Sequence, residues 1–330
     1  AALQPDRGAA AASLAAEHRR LSTGQDGFAG RLPSGLVGTA LKSALLAEGC
    51  DVVGLDIRAR DEARGDVRDQ ARVDEAVAGV DGIIHLAAVS RVVWGERDPE
   101  LCWETNVGGL RNVLAAAAQS PRMPWLIFAS SREVYGQPEA LPATEDAPLR
   151  PMNVYGRSKA EGELLVAEAQ RVGVRACTIR LSNVFGSTSD HVDRVVPAFA
   201  RAAALGDELR VDGLDHTFDF THIDDVARGV VALTKLLAAG DAPPPPIHFV
   251  SGRPTTLGEL ANLAADLAQS SSLIRSAAPR DFDVARFFGD PSRAKALLGW
   301  QPLVRLEDGL TRLIKGFRDV RVAIDAPEVM

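Results

Sequence analysis

The 330-residue sequence predicts an α/β fold, a doubly wound parallel sheet followed by a smaller α/β C-terminal lobe. Three observations carry that prediction. Short apolar runs alternate with helical patterns through the first half of the chain, the signature of a parallel sheet covered on both faces. A glycine-rich stretch opens the first clear helix, and beyond Gly186 the alternation breaks down into a less regular segment.

The strand-like runs are CDVVGLD (50–56), GIIHLAA (82–88), PWLIFASS (124–131) and VRACTIRLSNVFG (174–186). Helical periodicity fills the intervals at 39–48, 73–78, 110–119 and 158–171. After Gly186, VVPAFARAAALGDELRV reads as a helix followed by a strand. FDFTHIDD reads as a strand entering a helix near Asp224, with Val226, Val230, Leu233 and Leu237 on one face. The proline run DAPPPPIHFVSG leads into a further strand, and TTLGELANLAADL opens on a capping box, Thr256 with Glu259. Residues 1–20 are alanine-rich and carry Asp6 and Glu17 without the basic-then-apolar order of a secretory signal; they read as a disordered or weakly helical extension.

Composition narrows the function classes. Hydrophobic residues make up 46% and charged residues 25% of the chain, the balance of a globular protein. The net charge of -7 argues against a general partner for nucleic acid or an anionic membrane. No apolar run approaches the ~18 residues that cross a bilayer. Cys50, Cys102 and Cys177 form neither a CxxC pair nor a metal-ligand spacing, so no metal site is expected and a reducing cytoplasm is the simplest compartment.

A parallel sheet holds dinucleotides where a glycine-rich turn enters the first helix, because the backbone approaches a pyrophosphate closely there and the helix N-terminus offers N–H groups. Two overlapping candidates exist: Gly24, Gly27 and Gly30 in TGQDGFAG, and Gly35 and Gly38 in SGLVGTALKSALLAEG. An acidic residue about 20 positions further on should hold the adenosine ribose. Asp56 satisfies that from Gly35, so Gly35 and Gly38 are favoured at the helix start, with Gly30 or Gly24 in the preceding loop. A carboxylate at Asp56 repels a 2′-phosphate and favours NAD over NADP, although Arg58 and Arg60 stand nearby. The strand that should precede the glycines is poor, since AEHRRLST has almost no apolar run; either the first strand is degenerate or this segment departs from the usual architecture.

Tyrosine occurs only twice, at Tyr135 and Tyr155. Tyr155 and Lys159 stand at i and i+4 and share a helix face. A free phenol has a pKa of about 10, so use as a base near neutrality requires about three units, or roughly 4 kcal/mol, of stabilisation of its anion. A neighbouring ammonium and a nicotinamide cation are suitable sources. Alone, a YxxxK pair is as readily a packed ring and a solvated amine. Here Ser130 and Ser131 end the strand of FASSREVYG, where ligands sit in open parallel sheets, and a Ser131 hydroxyl could orient a substrate oxygen for Tyr155.

Together these stretches resemble an extended short-chain dehydrogenase/reductase of the NAD-dependent epimerase/dehydratase family acting on nucleotide sugars. The resemblance runs from about Gly35 to Leu313, through GLVGTALKSALLAEGCDVVGLD, GDVRD, HLAA, ETNVGGLRNVL, SSREVYG, YGRSK, RLSNVFG, FDFTHIDDVARG and GDPSRAKALLGW. It implies a Rossmann-type NAD-binding domain at 21–181, with 215–250 returning to it, and a substrate lobe from 182–214 and 251–330. It further implies that Asp66 and Val67 flank the adenine, that Leu86, Ala87 and Ala88 line the dinucleotide, and that Asn106 supports the active-site helix. Ser131, Tyr155 and Lys159 would be catalytic. Glu133 and Asn183 would contact the sugar nucleotide, Val196 and Pro197 would begin its pocket, and Arg280 and Asp283 would close it. His85 would lie structurally beneath the cofactor. A homodimer paired through the helices at 110–119 and 158–171 is expected by the same analogy.

The chain also departs from the family. Dehydratases carry an Asp-Glu pair after the active-site hydroxyl; here the pair is Arg132-Glu133, and Glu133 alone resembles decarboxylating members. The arginine that family members place in the stretch corresponding to HTFDF is absent, Thr217 and Phe218 standing there. The expected activity is 4-epimerisation of a nucleotide sugar such as a UDP-hexose through a 4-keto intermediate, with a ketoreductase, a dehydratase or a non-catalytic NAD-binding scaffold as alternatives.

Overall fold

The computed structural model describes residues 20–25 and 35–325. Its strands, in chain order, are β1 (Arg20–Gln25), β2 (Asp51–Asp56), β3 (Gly82–His85), β4 (Trp125–Ser131), β5 (Ala176–Leu181), β6 (Asn183–Phe185), β7 (Leu209–Asp212), β8 (Thr217–His222), β9 (Ile247–Phe249), β10 (Pro254–Thr256) and β11 (Ile274–Ala277). The helices are α1 (Leu36–Ala47), α2 (Gln70–Val77), α3 (Val92–Arg97), α4 (Pro99–Trp103), α5 (Gly109–Gln119), α6 (Val154–Arg171), α7 (Val195–Leu205), α8 (Ile223–Ala238), α9 (Leu257–Ala268), α10 (Ser292–Leu298) and α11 (Leu306–Asp325).

The central sheet has six strands in the order β2-β1-β3-β4-β5-β9, and every pairing in it is parallel. All four residues of β3 and all seven of β4 are buried, as strands covered on both faces require. One core cluster joins Leu41 and Leu45 of α1 to Val226, Val230, Leu233 and Leu237 of α8 across Ile84, Ile127 and Ile179. Those four α8 side chains are fully buried, each contributing about 2 kcal/mol. The opposite face packs α2, α5 and α6 through Val73, Leu110, Val113, Val166 and Phe128.

The smaller lobe is built from two short sheets, β10-β8-β6 and β11-β7, and from α7, α9 and α11. Its α9 opens on the expected capping box: the Thr256 hydroxyl accepts the Glu259 N–H at 3.0 Å and the Glu259 carboxylate accepts the Thr256 N–H at 2.8 Å.

The structure corrects one reading and decides another that the sequence left open. The run 174–186 is not one strand: β5 joins the central sheet, whereas β6 pairs with β8 in another. The Ser182 hydroxyl, between them, donates to the Asp219 carbonyl at 2.7 Å and turns the chain toward the lobe. The weak N-terminal stretch does form a first strand, β1, in register with β2 on one side and β3 on the other (Thr23 beside Gly54 and Ile84). Two parallel ladders give it a backbone role that does not depend on apolar side chains, so tertiary context overrides local propensity. Gly27 and Gly30, and the extension before Arg20, lie outside the described residues.

Candidate active site

Sheet order reverses between β1 and β3: the chain leaves β1 outward to β2 and then crosses to β3. Open parallel sheets form a crevice at the C-terminal strand ends of such a switch point, and a cleft of about 400 Å³ lies there. Leu36 and Val37, in the first turn of α1, line one wall. Gly35 is the extended N-cap residue of that helix and supplies no capping side chain, so the first-turn N–H groups suit an anion. Gly38 is buried within the same turn.

Ser131, Tyr155 and Lys159 share the opposite wall. Ser131 closes β4 and its hydroxyl oxygen accepts the Glu133 N–H at 3.2 Å, which fixes the side chain yet leaves its proton and a second lone pair for a ligand. The helix bearing Tyr155 and Lys159 starts at Val154, earlier than its periodicity suggested. Asn153 caps it, its Oδ1 accepting the Gly156 N–H at 2.7 Å, a recognisable N-cap type in the sequence. Lys159 is 2% exposed; its ammonium donates to the Ala129 carbonyl at 2.8 Å and lies 5.0 Å from the Phe128 ring centroid and 5.9 Å from that of Tyr155.

Asn106 lies behind this wall, in a π-helical turn (Glu104–Gly108) that joins α4 to α5. Its Oδ1 accepts the Val89 N–H at 2.7 Å, and its amide donates to the Ser158 hydroxyl at 2.8 Å. It thereby ties the loop after β3 to the residue preceding Lys159. His85 sits beneath, stacked on Phe128, with its pKa pushed down to about 3 by burial and secondarily by the Lys159 charge. It enters the fold as a neutral ring.

Of the other expected residues, Leu86, Ala88, Glu133, Asn183, Val196, Pro197, Arg280 and Asp283 line the cleft. Ala87 instead packs into the core on the α5 side. Asp56, Asp66 and Val67 lie away from the cleft lining, at the end of β2 and the turn into α2. Asp66 is held below the usual carboxylate range: burial opposes the shift, and hydrogen bonds from Arg68 produce it. Asp56 fits the dinucleotide it was expected to hold: its Oδ1 accepts the Arg58 N–H at 2.8 Å, while its buried Oδ2 has no hydrogen-bond partner. A ribose hydroxyl would satisfy that oxygen. In the cleft itself Ser90 Oγ and Asn183 Nδ2 are likewise buried without partners.

Sequence reasoning missed Ser90 and Asn153, and read Arg132 only as the residue standing where dehydratases carry an acid. It also missed a network beneath the cleft: the Ser130 hydroxyl donates to Glu163 at 2.6 Å, and Glu163 takes a two-point ion pair from Arg180 at 2.9 and 2.6 Å. These residues come together only when β4, β5 and α6 pack.

Residues 33–250 match the NAD dependent epimerase/dehydratase family. The chain belongs to that family. Within it, the chain is 32% identical over 246 residues to UDP-glucuronic acid decarboxylase 1 of Danio rerio, a match covering 72% of this chain but only 57% of the relative. It is 29% identical over 322 residues to the UDP-glucose 4-epimerase of Mycolicibacterium smegmatis, covering 91% of this chain and 99% of that one. The UDP-glucose 4-epimerase of Brucella ovis, solved in complex with NAD, superposes with a TM-score of 0.80 at 26% identity, covering 91% of this chain and 98% of the other. The family's α/β architecture with a parallel central sheet is therefore this chain's architecture, and its members are NAD-dependent enzymes.

Proposed function

We propose that the chain is an NAD-dependent nucleotide-sugar epimerase, acting at C4 of a UDP-hexose through a transient 4-keto sugar. The observation that carries this reading is the convergence of Ser131, Tyr155 and Lys159 on one wall of the cleft that also receives the N-terminus of α1. The end-to-end likeness to a UDP-glucose 4-epimerase supports it. Gly35 and Gly38 would take the pyrophosphate and Asp56 the adenosine ribose. NAD, when bound, supplies the hydride acceptor and donor at the sugar carbon.

Tyr155 takes the proton of the reacting hydroxyl and later returns it. Lys159 supports the phenolate with positive charge from the same helix face, and Ser131 donates to the sugar oxygen and orients it. Asn183, Val196 and Pro197 hold the nucleotide diphosphate, with Arg280 and Asp283 at its edge. Arg132 occupies the position at which family dehydratases carry an acid, which counts against loss of water. Release of the keto sugar would instead make the chain a ketoreductase, and a scaffold without chemistry would not need the trio intact. The free thiols of Cys50, Cys102 and Cys177 suit a reducing cytoplasm. Among the described residues no helix is long and apolar enough to cross a membrane.

The deciding experiment incubates the full chain and its Tyr155→Phe variant with NAD and a panel of nucleotide sugars, with chromatographic separation of 4-epimers. The expected result is interconversion by the parent chain and a kcat lower by about 10²–10⁴ in the variant. No turnover of any nucleotide sugar would overturn the reading.

A further inference from the structure

Among the cleft arginines outside the catalytic trio and the expected nucleotide contacts, Arg132 stands next to the reacting centre. Arg132 directly follows Ser131 and lines the cleft, although only 11% of its side chain is exposed. Its guanidinium carbon lies 4.5 Å from the Phe218 ring centroid and 6.0 Å from that of Phe287, so aromatic faces cover its plane. Its Nη2 forms an ion pair with Glu133 Oε1 at 2.9 Å. Glu133 is itself held by the Asn153 amide at 2.8 Å. The other terminal nitrogen of Arg132, Nη1, is buried and has no hydrogen-bond partner.

A buried donor on a charged group is costly to leave unpaired, and the cost is recovered when an acceptor arrives. The aspartates that line the cleft are already engaged. Asp193 is paired with Arg91, Asp212 with Arg210 and Asp283 with Arg280. A ligand oxygen would satisfy Arg132 Nη1, and these paired carboxylates do not repel an anionic ligand. A guanidinium has donors enough on separate edges to hold Glu133 and a second carboxylate together.

Resting on the nucleotide-sugar reading above, we propose that Arg132 is a specificity-determining residue which binds a carboxylate on the sugar ring, so that the substrate is a nucleotide-linked hexuronate. The anionic oxygen is assigned to the sugar and not to the diphosphate because Arg132 adjoins Ser131, the residue that meets the reacting hydroxyl. Arg210 and Arg280 line the lobe side of the cleft instead. A carboxylate makes a charge-assisted bond about twice as strong as that of a neutral hydroxymethyl group.

The test measures binding of UDP-glucuronate, UDP-glucose and UDP to the full NAD-loaded chain by titration calorimetry. The parent is compared with Arg132→Met, which keeps an apolar stem over Phe218, and with Arg132→Lys, which keeps the charge without the fork. The parent should bind UDP-glucuronate at least tenfold tighter than UDP-glucose. Arg132→Met should bring the two within about twofold while leaving UDP unchanged, and Arg132→Lys should fall between. Equal binding of the two sugars by the parent overturns the proposal. So does an Arg132→Met variant that loses affinity for both sugars and for UDP alike, since the guanidinium would then serve the phosphates. If Arg132→Met fails to fold, the parent's preference and the partial loss in Arg132→Lys decide the matter. Turnover of UDP-glucose without a preference for the uronate removes this inference alone; absence of binding by all three ligands removes the nucleotide-sugar reading and this inference with it.

Discussion

Tyr135 and Tyr155, the two tyrosines of the chain, differ in where the phenol is spent. Tyr135 is 1% exposed, and its hydroxyl meets His248 Nε2 at 2.5 Å and the Arg180 guanidinium at 2.6 Å. Burial pushes its pKa up, out of the range of useful bases. Tyr155 lines the cleft beside Lys159. The buried histidines make a measurable prediction at this scale. His85 and His248 are both held at about 3, by burial first, with Lys159 and Arg180 respectively adding to the shift. Unfolded, each titrates near 6.5. Below that value the unfolded chain binds protons the native chain refuses, so their contribution to stability is complete above about pH 6.5 and shrinks as pH falls. The loss is about 1.4 kcal/mol per pH unit for each histidine. Urea unfolding between pH 7.5 and 5 should show this slope, and His85→Gln should lower it by about one proton. An unchanged slope in that variant would show that His85 is charged in the native state.

At the element scale, the catalytic wall depends on how closely α6 can approach β4. Gly156, next to Tyr155, permits it: a Cβ there would stand 2.6 Å from the Glu133 carbonyl oxygen. A carbonyl on the turn after Ser131 cannot rotate away as a side-chain end can. Gly156→Ala should therefore cost about 1–3 kcal/mol through overpacking, and should lower kcat beyond what the lost stability explains, because the strain falls between Ser131 and Tyr155. Thermal denaturation paired with turnover at a temperature where the variant is folded checks both; normal turnover would mean that the two elements shift together. The π-helical turn at Asn106 is a second such device. The helix at 110–119 was readable, but the preceding helical turns from Pro99 and the widened turn that brings Asn106 to both Val89 and Ser158 were not. Its cause is a pair of partners 17 and 52 residues away.

At the scale of the whole molecule, the exposed apolar side chains bear on assembly. Leu164, on α6, is 66% exposed, and Trp103, at the end of α4, is 43% exposed. We propose a homodimer paired through the helices at 110–119 and 158–171, in which exposed apolar side chains on or beside them would be covered. Leu164→Glu should shift sedimentation of the full chain from dimer to monomer without altering its far-ultraviolet spectrum; a parent chain that sediments as a monomer at micromolar concentration would remove the dimer.

The alternation of strand and helix, the face of α8, the capping box of α9 and the i, i+4 pairing of Tyr155 with Lys159 were legible because each depends on residues close together in the chain. Local spacing sets the period of an element and the face its side chains share. Tertiary structure alone decided the rest. It made a strand of Arg20–Gln25 by placing that segment between two others, and divided 174–186 between two sheets. It turned Ala87 into the core, and it left Arg132 stacked on Phe218 with one nitrogen unpaired. Each of these outcomes depends on groups far apart in sequence, whose meeting is set by how the layers pack and not by the period of any single run.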